Sequence, residues 1–246
     1  MRIALAALAL TLPLAAPAAA SVFTLEQTAA NVHGTNGRTT VTITSTTPSV
    51  GPQSTSAGGF DLRVKAGDTS GIAPLDAAAK FVAWCLDIAK TLSLPSSYAV
   101  TTAPFAAQTL ASQQKADIRR LFDTGYDTTM LGNDAYSAGF QIALWEIVNE
   151  TSGSYDVNAG TFTVTNGGAA GTNARTVATN LLGGLGGPVV NTGFRVVYLE
   201  SQDMKNPVGR DSQNLVTVAP VPLPAAGLML LAALGGVAAL RRRKAA

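Results

Sequence analysis

Phe81-Val82-Ala83-Trp84-Cys85-Leu86 is apolar at every position. Its length and its aromatic content predict a β-strand. Because side chains alternate along a strand, both faces of this one are apolar, with Trp84 on one face and Cys85 on the other. A strand that is apolar on both faces must lie between a sheet and a second layer. We therefore expect Trp84 and Cys85 to be buried in different surroundings.

Helices downstream are expected to provide the second layer. Residues 111–122 place apolar side chains at helical spacing, and Gly125 is expected to end that helix. A second helix is predicted from Asn133 or Asp134 to about Asn149, and it is apolar over so wide an arc that it should be mostly buried. A third helix is predicted over 174–182, followed by two glycines.

Short strands flank the helices on both sides. The sequence predicts them at 23–25, 39–45 and 60–64 before the helices, and at 162–165, 194–199 and 215–218 after them. An order of strands, then mainly helices, then strands predicts an α+β domain. In this domain a small helical subdomain would cover a mostly antiparallel β-sheet or sandwich.

The N-terminus has the pattern of a secretory signal. Met1-Arg2 is a short basic start, 3–14 is apolar, and Pro17-Ala18-Ala19-Ala20 supplies small residues for a signal peptidase. We predict cleavage after Ala20, so that residues 1–20 are a signal peptide, 21–219 form the exported domain and 220–246 form a tail.

The tail combines a Pro-rich lead-in, an apolar segment and a basic end. The apolar run Ala225–Leu240 would span about 24 Å as a helix, which is short for a hydrocarbon core of about 30 Å. The basic end should remain cytoplasmic, since cationic residues are retained on that side. The lead-in is Val221, Pro222, Leu223, Pro224 and Ala225, and the basic stop is Arg241, Arg242, Arg243 and Lys244.

These tail residues resemble the VPLPA variant of the PEP-CTERM sorting signal of Gram-negative bacteria. The resemblance implies recognition by an exosortase, a membrane cysteine transpeptidase, and removal of the tail near the motif. The precursor would then be tethered transiently to the inner membrane before it reaches the cell surface or the extracellular matrix. A plain C-terminal membrane anchor is the alternative.

Charge and composition exclude several functions. Without Arg2 and the basic stop, 12 basic residues stand against 15 acidic ones. No basic stripe remains, so we expect no nucleic acid as a partner. A single histidine, His33, and a single cysteine are too few for a His/Cys metal site, and no cofactor is expected. A calcium loop built on Asp123, Asp127, Asn133 and Asp134 is a weaker alternative to a solvated loop, because its spacing does not match a known calcium loop.

Cys85 and Gln141 are the unusual residues of the apolar scaffold. An unpaired cysteine in an exported protein indicates a free reactive thiol or an intermolecular bridge, or else a buried cysteine that acts as a small hydrophobe. Trp84-Cys85-Leu86-Asp87, followed by Phe140-Gln141-Ile142-Ala143-Leu144-Trp145, resembles the paired motifs of Cys–Gln thioester domains in surface adhesins of Gram-positive bacteria. Gln213-Asn214-Leu215-Val216 resembles the closing strand of such domains.

The resemblance implies a chemistry and a set of roles. Cys85 would be the thiol and Gln141 the acyl donor, and loss of ammonia would leave an internal thioester. An amine on a protein or polysaccharide partner could then be acylated once, so the protein would be a covalent adhesin or cross-linker and not an enzyme. The supporting shell would be Trp84, Asp87, Phe140, Ala143 and Trp145.

The alternative is a structural matrix or surface protein without a thioester. In that case Gln141 hydrogen-bonds a strand backbone in the core, as buried amides usually do, and Cys85 only packs.

Overall fold

A computed structural model of the chain describes residues 22–68, 80–101, 110–151, 153–165, 167–191, 193–202 and 212–220. The predicted signal peptide, sorting motif, apolar tail segment and basic stop lie outside these residues. Within the described ranges, no helix combines the length and the apolar character that crossing a membrane requires.

Nine strands and three α-helices make up the described chain. The helices are α1 (Ser112–Gly125), α2 (Asp134–Asn149) and α3 (Gly168–Gly183), with short 3-10 turns at Thr128–Met130 and Gly184–Gly186. The strands are β1 (Val22–Gln27), β2 (Arg38–Thr46), β3 (Ser49–Gly58), β4 (Phe60–Val64), β5 (Lys80–Cys85), β6 (Ser96–Thr101), β7 (Phe162–Thr165), β8 (Phe194–Ser201) and β9 (Leu215–Pro220).

The larger sheet is a closed barrel of six antiparallel strands in the order β1-β4-β5-β9-β8-β6. β6 pairs with β1 on one side and with β8 on the other, which completes the ring. β9 inserts between β5 and β8, and its register sets Leu215 opposite Cys85. Closure gives every barrel strand a neighbouring strand on both sides.

The smaller sheet has three strands in the order β3-β2-β7. β2 alternates strictly, with Val41 and Ile43 buried against the helices and Thr40, Thr42 and Thr44 on the more exposed face. β3 is the edge strand and contains Pro52, which an edge position tolerates because one side of the strand needs no hydrogen bond.

Helix α2 is the centre of the domain. Twelve of its sixteen residues are buried, and it packs against α3, both sheets and α1. Asn133 caps it, since its side chain accepts a hydrogen bond from the Tyr136 N–H at 2.9 Å. The close packing on α3 depends on Gly139, where an added Cβ would lie 2.6 Å from a methyl carbon of Val177.

The sequence predicts the class and most elements correctly. Antiparallel strands with a helical layer are confirmed, and so are the burial of Trp84 and Cys85 and the positions of β4 and β7. The larger sheet, however, closes into a barrel. Two strands, β3 and β6, are absent from the prediction, and α3 begins at Gly168, well before residue 174. Both β3 and the first turns of α3 are rich in small or polar residues, which produce no apolar period.

Candidate functional site

Cys85 ends strand β5 at a position where three elements converge. Its backbone pairs with Leu215 of β9 on one side. On the other side, β4 begins at Phe60, which pairs with Ala83, so β4 does not reach as far as Cys85. The Cys85 backbone therefore has no β4 partner, and helix α2 occupies that place.

Gln141 of α2 completes the hydrogen bonding of this backbone. Its Oε1 accepts from the Cys85 N–H at 2.9 Å, and its Nε2 donates to the Cys85 carbonyl oxygen at 2.8 Å. The amide thus makes the two backbone hydrogen bonds that a neighbouring strand would otherwise make. This is the alternative in which Gln141 bonds a strand backbone. Both ends of the Gln141 amide are thus bonded to the Cys85 backbone.

Gln213 lies against the sulfur instead. Its Oε1 faces the Cys85 thiol, and the distance from Oε1 to Sγ is 2.5 Å, shorter than a normal hydrogen bond. Because a C=O bond is about 1.2 Å long, the carboxamide carbon of Gln213 lies no more than about 3.7 Å from the sulfur. That limit is close to the near-attack separation of about 3–3.5 Å.

The register of β5 and β9 explains why Gln213 reaches the thiol. Cys85 pairs with Leu215, and Gln213 lies two residues before Leu215, on the same face of the sheet. Such diagonal neighbours are within reach of long side chains. In the sequence, the stretch Gln213–Val216 was noted only for its resemblance to a closing strand. Its contact with Cys85 could not be predicted from local sequence, because the two residues are 128 positions apart.

Hydrogen bonds hold the Gln213 backbone on both sides. The Tyr98 hydroxyl donates to the Gln213 carbonyl oxygen at 3.0 Å and lies 2.8 Å from the Ser212 hydroxyl. On the other side, the Asn214 carbonyl accepts from the Leu86 N–H at 3.0 Å. All of these side chains are buried, so Gln213 is presented to the sulfur from a fixed backbone.

The environment keeps the thiol protonated. Burial raises the pKa of Cys85 to about 12. The neighbouring Trp145 indole opposes this increase in pKa, and the charge of Asp87 adds to it. Cys85 and Gln213 are 3% and 4% exposed, so the described part of the chain covers the pair almost completely.

Aromatic side chains cluster on the face of β5 opposite Cys85 and along helix α2. Trp84 contacts Phe140, with ring centroids 4.6 Å apart, and Phe140 in turn contacts Phe122 at 5.0 Å and Tyr126 at 5.8 Å. Trp145 packs near Phe162 at 6.4 Å. Trp84 and Phe140, two members of the predicted shell, are therefore in contact with each other.

The remaining members of the predicted shell have smaller roles. Asp87 is half-buried; its carboxylate accepts from the Ala89 N–H at 3.1 Å, and its carbonyl oxygen lies 3.3 Å from the Cys85 sulfur. Burial raises the pKa of Asp87. Ala143 is fully buried in α2 and contributes packing only.

The other residues considered in the sequence analysis make hydrogen bonds or ion pairs in other parts of the described chain. His33 lies in a turn, where its Nδ1 is 3.0 Å from the Gly59 carbonyl oxygen, and burial lowers its pKa. Asp123 pairs with Arg119 at 2.7 Å. Asp127 accepts from the Thr129 N–H, and Asp134 accepts from the Arg38 N–H. Among the described residues, no three acidic, His or Cys side chains are grouped to hold a metal ion.

Comparisons with known proteins add little to this geometry. No family model matches the chain, and neither does any curated protein. One similar solved structure is the N-terminal domain of the Streptococcus pyogenes pilus tip adhesin Cpa, at 18% identity and a TM-score of 0.38. The match covers 67% of this chain and 85% of that one. A TM-score of this size establishes neither a common fold nor a common chemistry.

Proposed function

We propose that this protein is an exported surface or matrix protein that forms an internal thioester between Cys85 and Gln213. The observation that carries the proposal is the contact of the Cys85 sulfur with the Gln213 carboxamide oxygen. In this proposal Gln213 replaces Gln141 as the acyl donor, and Gln141 holds the Cys85 backbone. The thioester would then acylate an amine of a protein or polysaccharide partner once, without turnover.

The bond-forming step is balanced within the pair. The sulfur attacks the carboxamide carbon, a C–S bond forms and the C–N bond breaks. The thiol proton leaves with the departing nitrogen, so that ammonia is released. A thiol with a pKa near 12 is almost wholly protonated at neutral pH, and its proton is available for the leaving amine. Fixing both groups on the barrel supplies the effective concentration that free side chains lack.

Intact mass of the exported protein tests this function. We expect a deficit of one ammonia that is lost in Cys85→Ala and in Gln213→Ala but is kept in Gln113→Ala, a surface glutamine of α1. Treatment with methylamine should open the thioester and leave a methylamide, which peptide mapping assigns to one residue. A label on Gln141 would contradict the choice of acyl donor, and an unaltered mass would contradict the thioester itself.

A structural role without a thioester is the second candidate. The near-complete burial of Cys85 and Gln213 favours it, because a buried pair can stabilise the barrel without reacting. In that case the mass is unaltered, and the thiol becomes reactive only when the domain unfolds.

Export and sorting are proposed from the two termini of the sequence. The signal peptide would direct export, and the Val221–Ala225 motif would present the tail to an exosortase at the inner membrane. Deleting this motif in the native bacterial host should leave uncleaved protein in the membrane fraction. Normal processing of the deletion variant would rule out the sorting role.

A further inference from the structure

The loop that joins β5 to β6, residues 86–95, crosses one end of the barrel. In the ring of six strands, β5 and β6 are three positions apart in both directions, so they lie on opposite sides of the barrel. The chain between them must therefore span the end of the ring, and we call it the crossing loop. Cys85 is the last residue of β5 and pairs with Leu215, the first residue of β9. Cys85 and Gln213 therefore lie at the end that this loop crosses.

The crossing loop is bonded to the two residues that flank Gln213. At its start, the Leu86 N–H donates to the Asn214 carbonyl oxygen at 3.0 Å. Near its far end, the Ser212 hydroxyl accepts from the Ser93 N–H and donates to the Ser93 carbonyl oxygen, both at 3.1 Å. Because these attachments lie on either side of Gln213, the loop passes beside the carboxamide that meets the sulfur.

The middle of the loop contacts the sulfur and contributes to the core. The Asp87 carbonyl oxygen lies 3.3 Å from the Cys85 Sγ. Ile88 is 5% exposed and belongs to the hydrophobic core, whereas Ala89 and Thr91 are exposed. One side of the loop therefore packs on the end of the barrel, and the other side faces solvent.

We propose that the crossing loop is a lid over the Cys85–Gln213 pair and that the Ser212 hydroxyl is the latch that keeps it closed. The inference rests on the proposed thioester. A thioester must be sheltered from water, but an attacking amine must reach the acyl carbon, and a pair that is 3% and 4% exposed is closed to both. Opening the lid admits the amine. A C–N bond then forms at the acyl carbon, the C–S bond breaks, and the proton of the amine passes to the sulfur.

The latch is weaker than the attachments within the barrel. Ser212 joins the far end of the loop to the start of β9 by two hydrogen bonds to one residue, Ser93. Segments held by few contacts open locally at a lower free energy than the whole domain needs for unfolding. Leu86 is fully buried and bonded to Asn214, so it remains with the barrel as the hinge. The loop can thus open at Ser93 while the sheet stays folded.

Ser212→Ala tests the latch, and Ser201→Ala is its matched control. Both serines are buried, at 1% and 3% exposure, but the Ser201 hydroxyl has no hydrogen-bond partner in the described chain. Ser212→Ala leaves the bond from the Tyr98 hydroxyl to the Gln213 carbonyl oxygen in place. In a Gln213→Ala background, where no thioester can form, Ser212→Ala should speed alkylation of Cys85 about tenfold, because two ordinary hydrogen bonds shift an equilibrium by about that factor. Ser201→Ala should leave the rate unchanged.

The second measurement uses the protein with Gln213 intact. Ser212→Ala should speed both methylamine opening and hydrolysis of the thioester about tenfold, whereas Ser201→Ala should change neither rate. Equal alkylation rates for the two serine variants would overturn the latch. Absence of the mass deficit in the wild type would overturn the thioester, whereas the alkylation experiment would still report on the loop.

Hydrogen exchange of the wild-type protein separates opening of the lid from unfolding of the barrel. The Ser93 amide should exchange about tenfold or more faster than the amides of β5 and β9, because its bond breaks in a local opening. Exchange of Ser93 only together with these strands would refute the lid. Should Ser212→Ala fail to fold, Ile88→Val loosens the packing of the loop and should raise the alkylation rate several-fold. An unchanged rate in that folded variant would contradict the proposal.

Discussion

Replacing Gln141 with alanine should destabilise the domain more than any other change to a single polar side chain near the site. Gln141 is 1% exposed, and its amide satisfies both the N–H and the carbonyl of Cys85. Gln141→Ala leaves both backbone groups buried without partners. Since each buried polar group left unsatisfied costs about 1–3 kcal/mol, the expected loss in free energy of unfolding is roughly 2–6 kcal/mol.

The chain supplies a matched control in Gln114. Its side chain also bonds backbone groups, donating to the Ile147 and Val148 carbonyls and accepting from the Ala111 N–H. Gln114 is only half-buried, so water can replace these partners, and Gln114→Ala should cost about 1 kcal/mol.

Urea unfolding followed by circular dichroism measures both variants. The comparison is made on the Cys85→Ala background, where no thioester can contribute to stability. If Gln141→Ala costs no more than Gln114→Ala, the amide does not support the end of β5, and the assignment of Gln141 as its backbone partner is refuted.

Three further predictions concern other parts of the domain. Burial raises the pKa of Glu146 to about 7 from its ordinary 4.5; the folded state therefore binds more protons than the unfolded state between these values, and stability should fall by about 3 kcal/mol as pH rises through this window. Glu146→Gln should abolish that fall in urea unfolding, and a persisting fall would place its origin elsewhere. Tyr98→Phe removes the donor that holds the Gln213 carbonyl and should slow ammonia loss about tenfold or more after refolding, followed by mass; an unchanged rate would show that the bond is dispensable. Gly139→Ala should cost about 1–3 kcal/mol by overpacking against α3, whereas Gly183→Ala, into open space at the end of α3, should be neutral or slightly stabilising in thermal unfolding.

The sequence predicts local structure where the apolar pattern is regular. Strand β5 and helix α2 are apolar over long stretches, and both are found where expected. β3 escapes prediction because Gly51-Pro52 resembles a turn, although an edge strand can contain both residues. Closure of the barrel also escapes, since it depends on which strands pair and not on the character of any one strand.

The candidate site, too, could be predicted from the sequence only in part. Cys85 stands out as the single cysteine in an apolar strand, and Gln141 stands out as an amide in an apolar helix. Which glutamine meets the sulfur depends on the pairing of Cys85 with Leu215, a contact between distant parts of the chain. Gln213 lies in a polar stretch whose only signal was its resemblance to a closing strand, and the register of β9 brings it to the thiol.

Because β9 lies between β5 and β8, the proposed thioester could form only after the last strand of the barrel has folded into place. Cys85 is synthesised long before Gln213, and the two side chains cannot meet until β9 has paired with β5. With the proposed thioester, acylation of an amine before the domain has folded would thereby be avoided. A Cys85–Gln213 thioester would link β5 and β9 covalently. A force applied to the C-terminal side of the domain would then act on a covalent bond in addition to the hydrogen bonds between the strands.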